Sequence, residues 1–190
     1  MTAPATPSLD PKLFRRVAGQ FATGVTVLAT QVESEVRGMT ANAFMSLSLD
    51  PMLIVVGLGQ QTKLSDHLVT AGAFTVNVLR ADQEALSNFF AARWNGSPPS
   101  FRFVPWENYA RLEGCAASLG CALEQIVPGG DHWLVVGRVT ALHLGIEPRR
   151  PLIFHAGSYG VLEQGKQSPA PELDEDTPPV LAYYDDWCTD

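Results

Sequence analysis

Gly38-Met39-Thr40-Ala41-Asn42-Ala43-Phe44-Met45-Ser46-Leu47-Ser48-Leu49-Asp50-Pro51 is the stretch on which the reading of this chain turns. Small or hydroxylated residues alternate with apolar ones, the period-two signature of a strand. A face of glycine, alanine and short polar side chains does not fill a core. It does let a flat ligand lie close to the backbone. Asp50-Pro51 closes the stretch as a turn.

Working outward, Met52 to Leu58 is a short, continuous apolar run and reads as a strand buried on both faces. Gly59-Gln60-Gln61-Thr62-Lys63 then leads into a helix over Thr62 to Thr70, with Leu64 and Leu68 one turn apart and Gly72 at its C-terminal end. The N-terminus of such a helix can hold an anion on its free N–H groups and dipole. Gly57-Leu58-Gly59 is not a dinucleotide fingerprint, because Thr62 stands where the third glycine belongs. Upstream, Asp10-Pro11 starts a helix whose Leu13, Phe14, Val17 and Phe21 share one face. Val25, Val27 and Ala29 then alternate as a strand. Downstream, Phe74 to Leu79 is a strand, and Asp82 caps a helix carrying Leu86, Phe89 and Phe90. Arg93 to Pro105 reads as a long loop. Leu119 to Ile126, Trp133 to Leu144, Leu152 to His155 and Ser158 to Leu162 are further strands. Many short strands with few helices predict a mainly β protein of barrel type.

The 190 residues suit one domain, and 46% hydrophobic against 17% charged residues describe a chain able to bury a core. No apolar run reaches the ~20 residues of a membrane-spanning helix. The first residues lack a secretory h-region, so the expected location is the cytoplasm. Cys115, Cys121 and Cys188 then read as reduced thiols. The net charge of -7 falls wholly on the segment from Glu163 onward, with 8 acidic residues and one lysine. The rest is neutral and has no basic stripe, which argues against nucleic acid. The chain divides into a loose leader (1–9), a folded domain (10–165) and an acidic, proline-rich tail (166–190). The tail's Leu181-Ala182-Tyr183-Tyr184-Asp185-Asp186-Trp187-Cys188 invites docking in a groove or on a neighbouring subunit. Neither the histidines nor the cysteines have metal-ligand spacing, and no nucleophile elbow or phosphate loop is present.

Five segments in order resemble the flavin reductase family, the NAD(P)H-dependent partners of two-component monooxygenases. They are Phe21-Ala22-Thr23-Gly24-Val25-Thr26-Val27, Gly38 to Pro51, Ala73 to Leu79 with Asp82-Gln83, Gly130-Asp131-His132-Trp133 with its strand, and Pro151 to Tyr159. The resemblance covers roughly Leu13 to Leu162. It implies an FMN-binding split β-barrel of Greek-key type with a few peripheral helices, assembled as a homodimer with flavin sites near the subunit interface. It implies hydride transfer from NADH or NADPH to FMN or FAD, the reduced flavin then passing to a separate monooxygenase.

By the same resemblance, Met39, Thr40, Ala41 and Asn42, with Ser46, Leu47 and Ser48, line the flavin ring and ribityl chain. Gln61, Thr62 and Lys63 hold the phosphate. His132, with Thr23 and Tyr159, faces the nicotinamide; His132 serves positioning and charge balance. The chain departs from the family at Leu64, Gly120 and Ser158 and over Arg93 to Arg111. Two other functions therefore stay open at this point: a flavin-binding protein without turnover, and a split-barrel enzyme recruited to other chemistry on a bulky substrate.

Overall fold

The computed structural model describes residues 9–147 and 149–162. Most of the leader, the acidic tail with its aromatic segment, and Cys188 lie outside the described residues. Asp10 caps α1 (Pro11–Ala18) as the sequence predicts, its carboxylate accepting from Lys12 N at 2.9 Å. Seven strands then form one sheet. β2 (Thr26–Val32) pairs with β3 (Glu35–Ala41), β4 (Phe44–Leu49) with β5 (Met52–Gly59), and between them run β6 (Ala73–Val78), β9 (Ala117–Gly129) and β10 (His132–Leu144). The order is β3-β2-β6-β9-β10-β5-β4. β3 and β4 are neighbours in the chain but occupy opposite edges. Only a sheet rolled on itself allows two residues, Asn42 and Ala43, to connect them.

The expected single strand from Gly38 to Pro51 is therefore two strands, broken at Asn42-Ala43. A second departure concerns burial. β5 alternates, with Ile54, Val56 and Leu58 buried and Met52 exposed. It is β2 that is covered on both faces, because Val25 through Thr30 are all buried. One face of β2 joins the barrel core of Leu28, Ala41, Ile54, Val56, Phe74, Val76, Cys121 and Val135. Its other face meets a second cluster, in which Val25 and Val27 pack with Leu79, Leu86, Leu112 and Leu152.

α2 (Lys63–Ala71) starts where expected and ends at Gly72, whose φ of 64° is the left-handed turn that favours glycine. α3 (Glu84–Phe90) begins after Gln83. Asp82 pairs with Arg80 and does not cap it. The loop expected over Arg93 to Pro105 ends earlier, because β7 (Phe103–Trp106) forms a hairpin with β8 (Tyr109–Leu112). That hairpin is locked to the barrel through the fully buried Asn77, whose Oδ1 accepts from Leu112 N and Ser118 Oγ, both at 3.0 Å. Finally β1 (Thr23–Gly24), β11 (Ile153–His155) and β12 (Ser158–Gly160) make a small separate sheet in the order β1-β11-β12.

Candidate functional site

The site is built around the crossing between β3 and β4. On β3 the side chains sort by the strand period. Met39 and Ala41 pack with the barrel core. Gly38 and Thr40 face the other way, toward α3. A Cβ on Gly38 would stand 3.0 Å from the Phe90 ring, so the missing side chain makes room for Phe90, not for a ligand. The Thr40 hydroxyl donates to Ser87 O at 2.7 Å. β3 thus has no free side chain to offer at its end. What it offers is backbone, because it is an edge strand with one partner.

Beyond Ala41 the chain opens. Asn42, Ala43, Met45, Ser46 and Leu47 are exposed. Asn42 Nδ2 donates to Thr23 Oγ1 at 3.3 Å, and Ala43 O accepts from Gly57 N at 2.8 Å. Gly57 is required here, since a Cβ on it would lie 2.9 Å from Ala43 Cβ. The β4–β5 register shifts between Ser46 and Ser48, a bulge that leaves Leu47 unpaired and 47% exposed. Bulges of this kind re-aim side chains and bend a strand edge.

The second part of the site lies two residues further along, at the C-terminal end of β5. Pairing of β10 with β5 sets His132 opposite Gly59. A Cβ on Gly59 would be 4.0 Å from His132 Nε2 and 3.6 Å from Thr62 Cγ2, so these three residues are neighbours. The Thr62 hydroxyl donates back to Gly59 O at 2.8 Å and does not cap α2. Gln61 and Lys63 are exposed at the helix start. His132 Nδ1 lies 2.7 Å from Asp131 Oδ1. An ionised carboxylate only accepts, so Nδ1 carries a proton, and Nε2 is turned to the Gly59 side, an acceptor in the neutral ring and a donor in the protonated one. This hydrogen bond, with the attraction of the ring, holds the Asp131 carboxyl below its usual range.

The sequence-predicted residues therefore fall into two groups linked by β5. Thr23, Thr40, Asn42 and Tyr159 gather at the crossing; His132, Gln61, Thr62 and Lys63 gather beyond Gly59. The Tyr159 hydroxyl meets Ser87 Oγ at 2.9 Å and donates to Asn88 Oδ1 at 3.2 Å. Ser87 and Asn88 were not singled out by the sequence. Nothing in a helix pattern marks a serine that bonds two strands from elsewhere. A polar cleft of about 340 Å³ lies apart from both groups, beside the β2–β3 turn, between Glu33, Glu35, Arg37 and His67. Among the described residues, no three His, Cys, Asp or Glu side chains gather as metal ligands, and no helix is long and apolar enough to cross a membrane.

The crossing suits a flat heterocycle with alternating donors and acceptors on its rim. The outer edges of β3 and β4 carry such groups in alternation, without strand partners on that side. The exposed helix start with Lys63 suits a phosphate.

Comparison with known proteins identifies the family. Residues 18–163 match the model of the flavin reductase like domain. The chain is 43% identical over 150 residues to the reductase component of 4-hydroxyphenylacetate 3-monooxygenase from Thermus thermophilus, covering 77% of this chain and 93% of that protein. It is 38% identical over 160 residues to an NADH-dependent flavin reductase from a Rhodococcus species, covering 83% and 89%. The structure of flavin reductase PheA2 in its native state superposes with a TM-score of 0.78 at 38% identity, covering 82% of this chain and all of that one.

Proposed function

The chain belongs to the flavin reductase-like family, and from that membership we propose that it reduces FMN or FAD with NADH and supplies the reduced flavin to a separate monooxygenase. The observation that carries the site is the crossing at Asn42-Ala43, where two unpaired sheet edges meet beside small side chains. The chemistry supplied when flavin and nicotinamide are bound is hydride transfer from nicotinamide C4 to flavin N5. The chain's task is to hold two rings in contact and keep water out.

On this reading the backbone of Thr40 to Asn42 and the face of Ser46 to Ser48 hold the ring and ribityl chain. The N–H groups opening α2, with Gln61 and the Lys63 ammonium, hold the phosphate. Thr62 contributes backbone only, because its hydroxyl hydrogen is committed to Gly59 O. His132, held by Asp131, borders the nicotinamide.

The enzyme works as a homodimer. α1 buries no residue in its own chain, leaving Leu13, Phe14 and Val17 at least half exposed, and Phe21 beyond it is 79% exposed. Covering each such side chain contributes roughly 1.5–3 kcal/mol. Doubled by two-fold symmetry, this competes with the about 4–15 kcal/mol cost of association.

Steady-state oxidation of NADH and NADPH, each with added FMN and FAD, tests the assignment. Flavin-dependent turnover with a preference for NADH is expected. Flavin binding with no oxidation of either nucleotide would leave a carrier and refute the reductase.

A further inference from the structure

We infer that Ser87, Asn88 and Tyr159 form a clamp that positions the flavin-holding end of β3. The inference rests on the reading that Thr40 to Asn42 seats the flavin. The hydrogen-bond directions fix the clamp. Tyr159 has one hydroxyl hydrogen, and it goes to Asn88 Oδ1 at 3.2 Å. The 2.9 Å contact with Ser87 is then donated by the serine. Ser87 is fully buried, and its carbonyl accepts the Thr40 hydroxyl at 2.7 Å. One turn of α3 thus holds β12 on one side and β3 on the other.

A second route closes the ring. Tyr159 pairs with Phe154 across β12–β11, and Phe154 pairs with Thr23 across β11–β1. Thr23 Oγ1 accepts from Asn42 Nδ2 at 3.3 Å. Residues 40 and 42, on either side of Ala41, are therefore tied to the same small sheet by two independent paths. Just upstream, Phe90 fills the space over Gly38. An edge strand with one neighbour has little of its own to hold its free edge in place, and this circuit supplies the restraint. The Tyr159 hydroxyl, spent on Ser87 and Asn88, positions the strand and does not face the nicotinamide.

Tyr159→Phe and Ser87→Ala each remove the shared hydrogen bond. Each variant should raise the flavin KM about five- to tenfold, as expected for one buried hydrogen bond, with kcat at saturating flavin and the NADH KM within twofold. The double variant should be no worse than Tyr159→Phe alone, because the bond that Ser87→Ala deletes is already gone in it. Asn88→Ala, at a half-buried position that puts less of the fold at risk, should show the same split more weakly. A fall in melting temperature with unchanged flavin KM would overturn the clamp as a positioning device. So would a raised NADH KM with unchanged flavin KM, which would return Tyr159 to the nicotinamide. Ser46→Trp, measured in parallel, separates the two levels. If it too leaves the flavin KM unchanged, the seat itself is misplaced; if it alone raises KM, only the clamp fails.

Discussion

His132 stands at the start of β10 with its Nδ1 proton held by Asp131, so its other ring nitrogen, Nε2, has a fixed direction. His132→Ala should lower kcat/KM for NADH about tenfold, an ordinary loss for a positioning group, while flavin affinity holds; stopped-flow reduction separates the two. Asp131 is ionised well into mild acid, since its depressed pKa means the contact is lost only as pH falls through that lowered value. The rate should then show no Asp131 titration near neutrality. Cys115 and Cys121 are different in kind. Burial pushes both thiols up to about 12. In a Cys188→Ser background neither should react with a thiol reagent at pH about 8 until the protein unfolds. Because the folded pKa is raised, their contribution to stability is complete below the ordinary thiol range and is lost as pH rises above it.

At the level of elements, α3 and β3 meet through Gly38, Phe90, Thr40 and Ser87. Gly38→Ala should destabilise the protein by about 1–3 kcal/mol, the usual range for overpacking, because Phe90 or the strand must move; urea denaturation reads this directly. The same contact shows why part of the site was legible and part was not. Alternation announced both halves of Gly38 to Pro51, and Asp10-Pro11 and Gly72 announced helix ends. The break at Asn42-Ala43 was invisible, because the period continues across it while the chain passes from one sheet edge to the other. Gly38 read as an opening for a ligand, yet its vacancy is filled by a ring 52 residues later in sequence. The β7–β8 hairpin escaped notice because Pro105 and the preceding Gly, Pro and Ser disguised it as loop. Its stability comes from Asn77 and the second hydrophobic cluster, which are tertiary facts.

At the scale of the whole molecule, the barrel and its second cluster draw on residues from Val25 to Tyr159, which is why the family pattern reads in order along most of the chain. In the homodimer we propose, the exposed face of α1 is the interface. Light scattering should then find the unmodified protein dimeric and Phe14→Asp monomeric with the barrel still folded; a variant that stays dimeric would place the interface elsewhere, and a monomeric unmodified protein would refute the dimer. On the proposed reading, flavin rests on the open surface between Asn42 and Ser48. Ser46 is exposed, so Ser46→Trp adds bulk over that surface without entering the core. The deciding measurement is flavin fluorescence titration of this variant beside the unmodified protein. Unchanged thermal stability and flavin binding at least tenfold weaker are expected; equal affinity in the two proteins would put the flavin elsewhere.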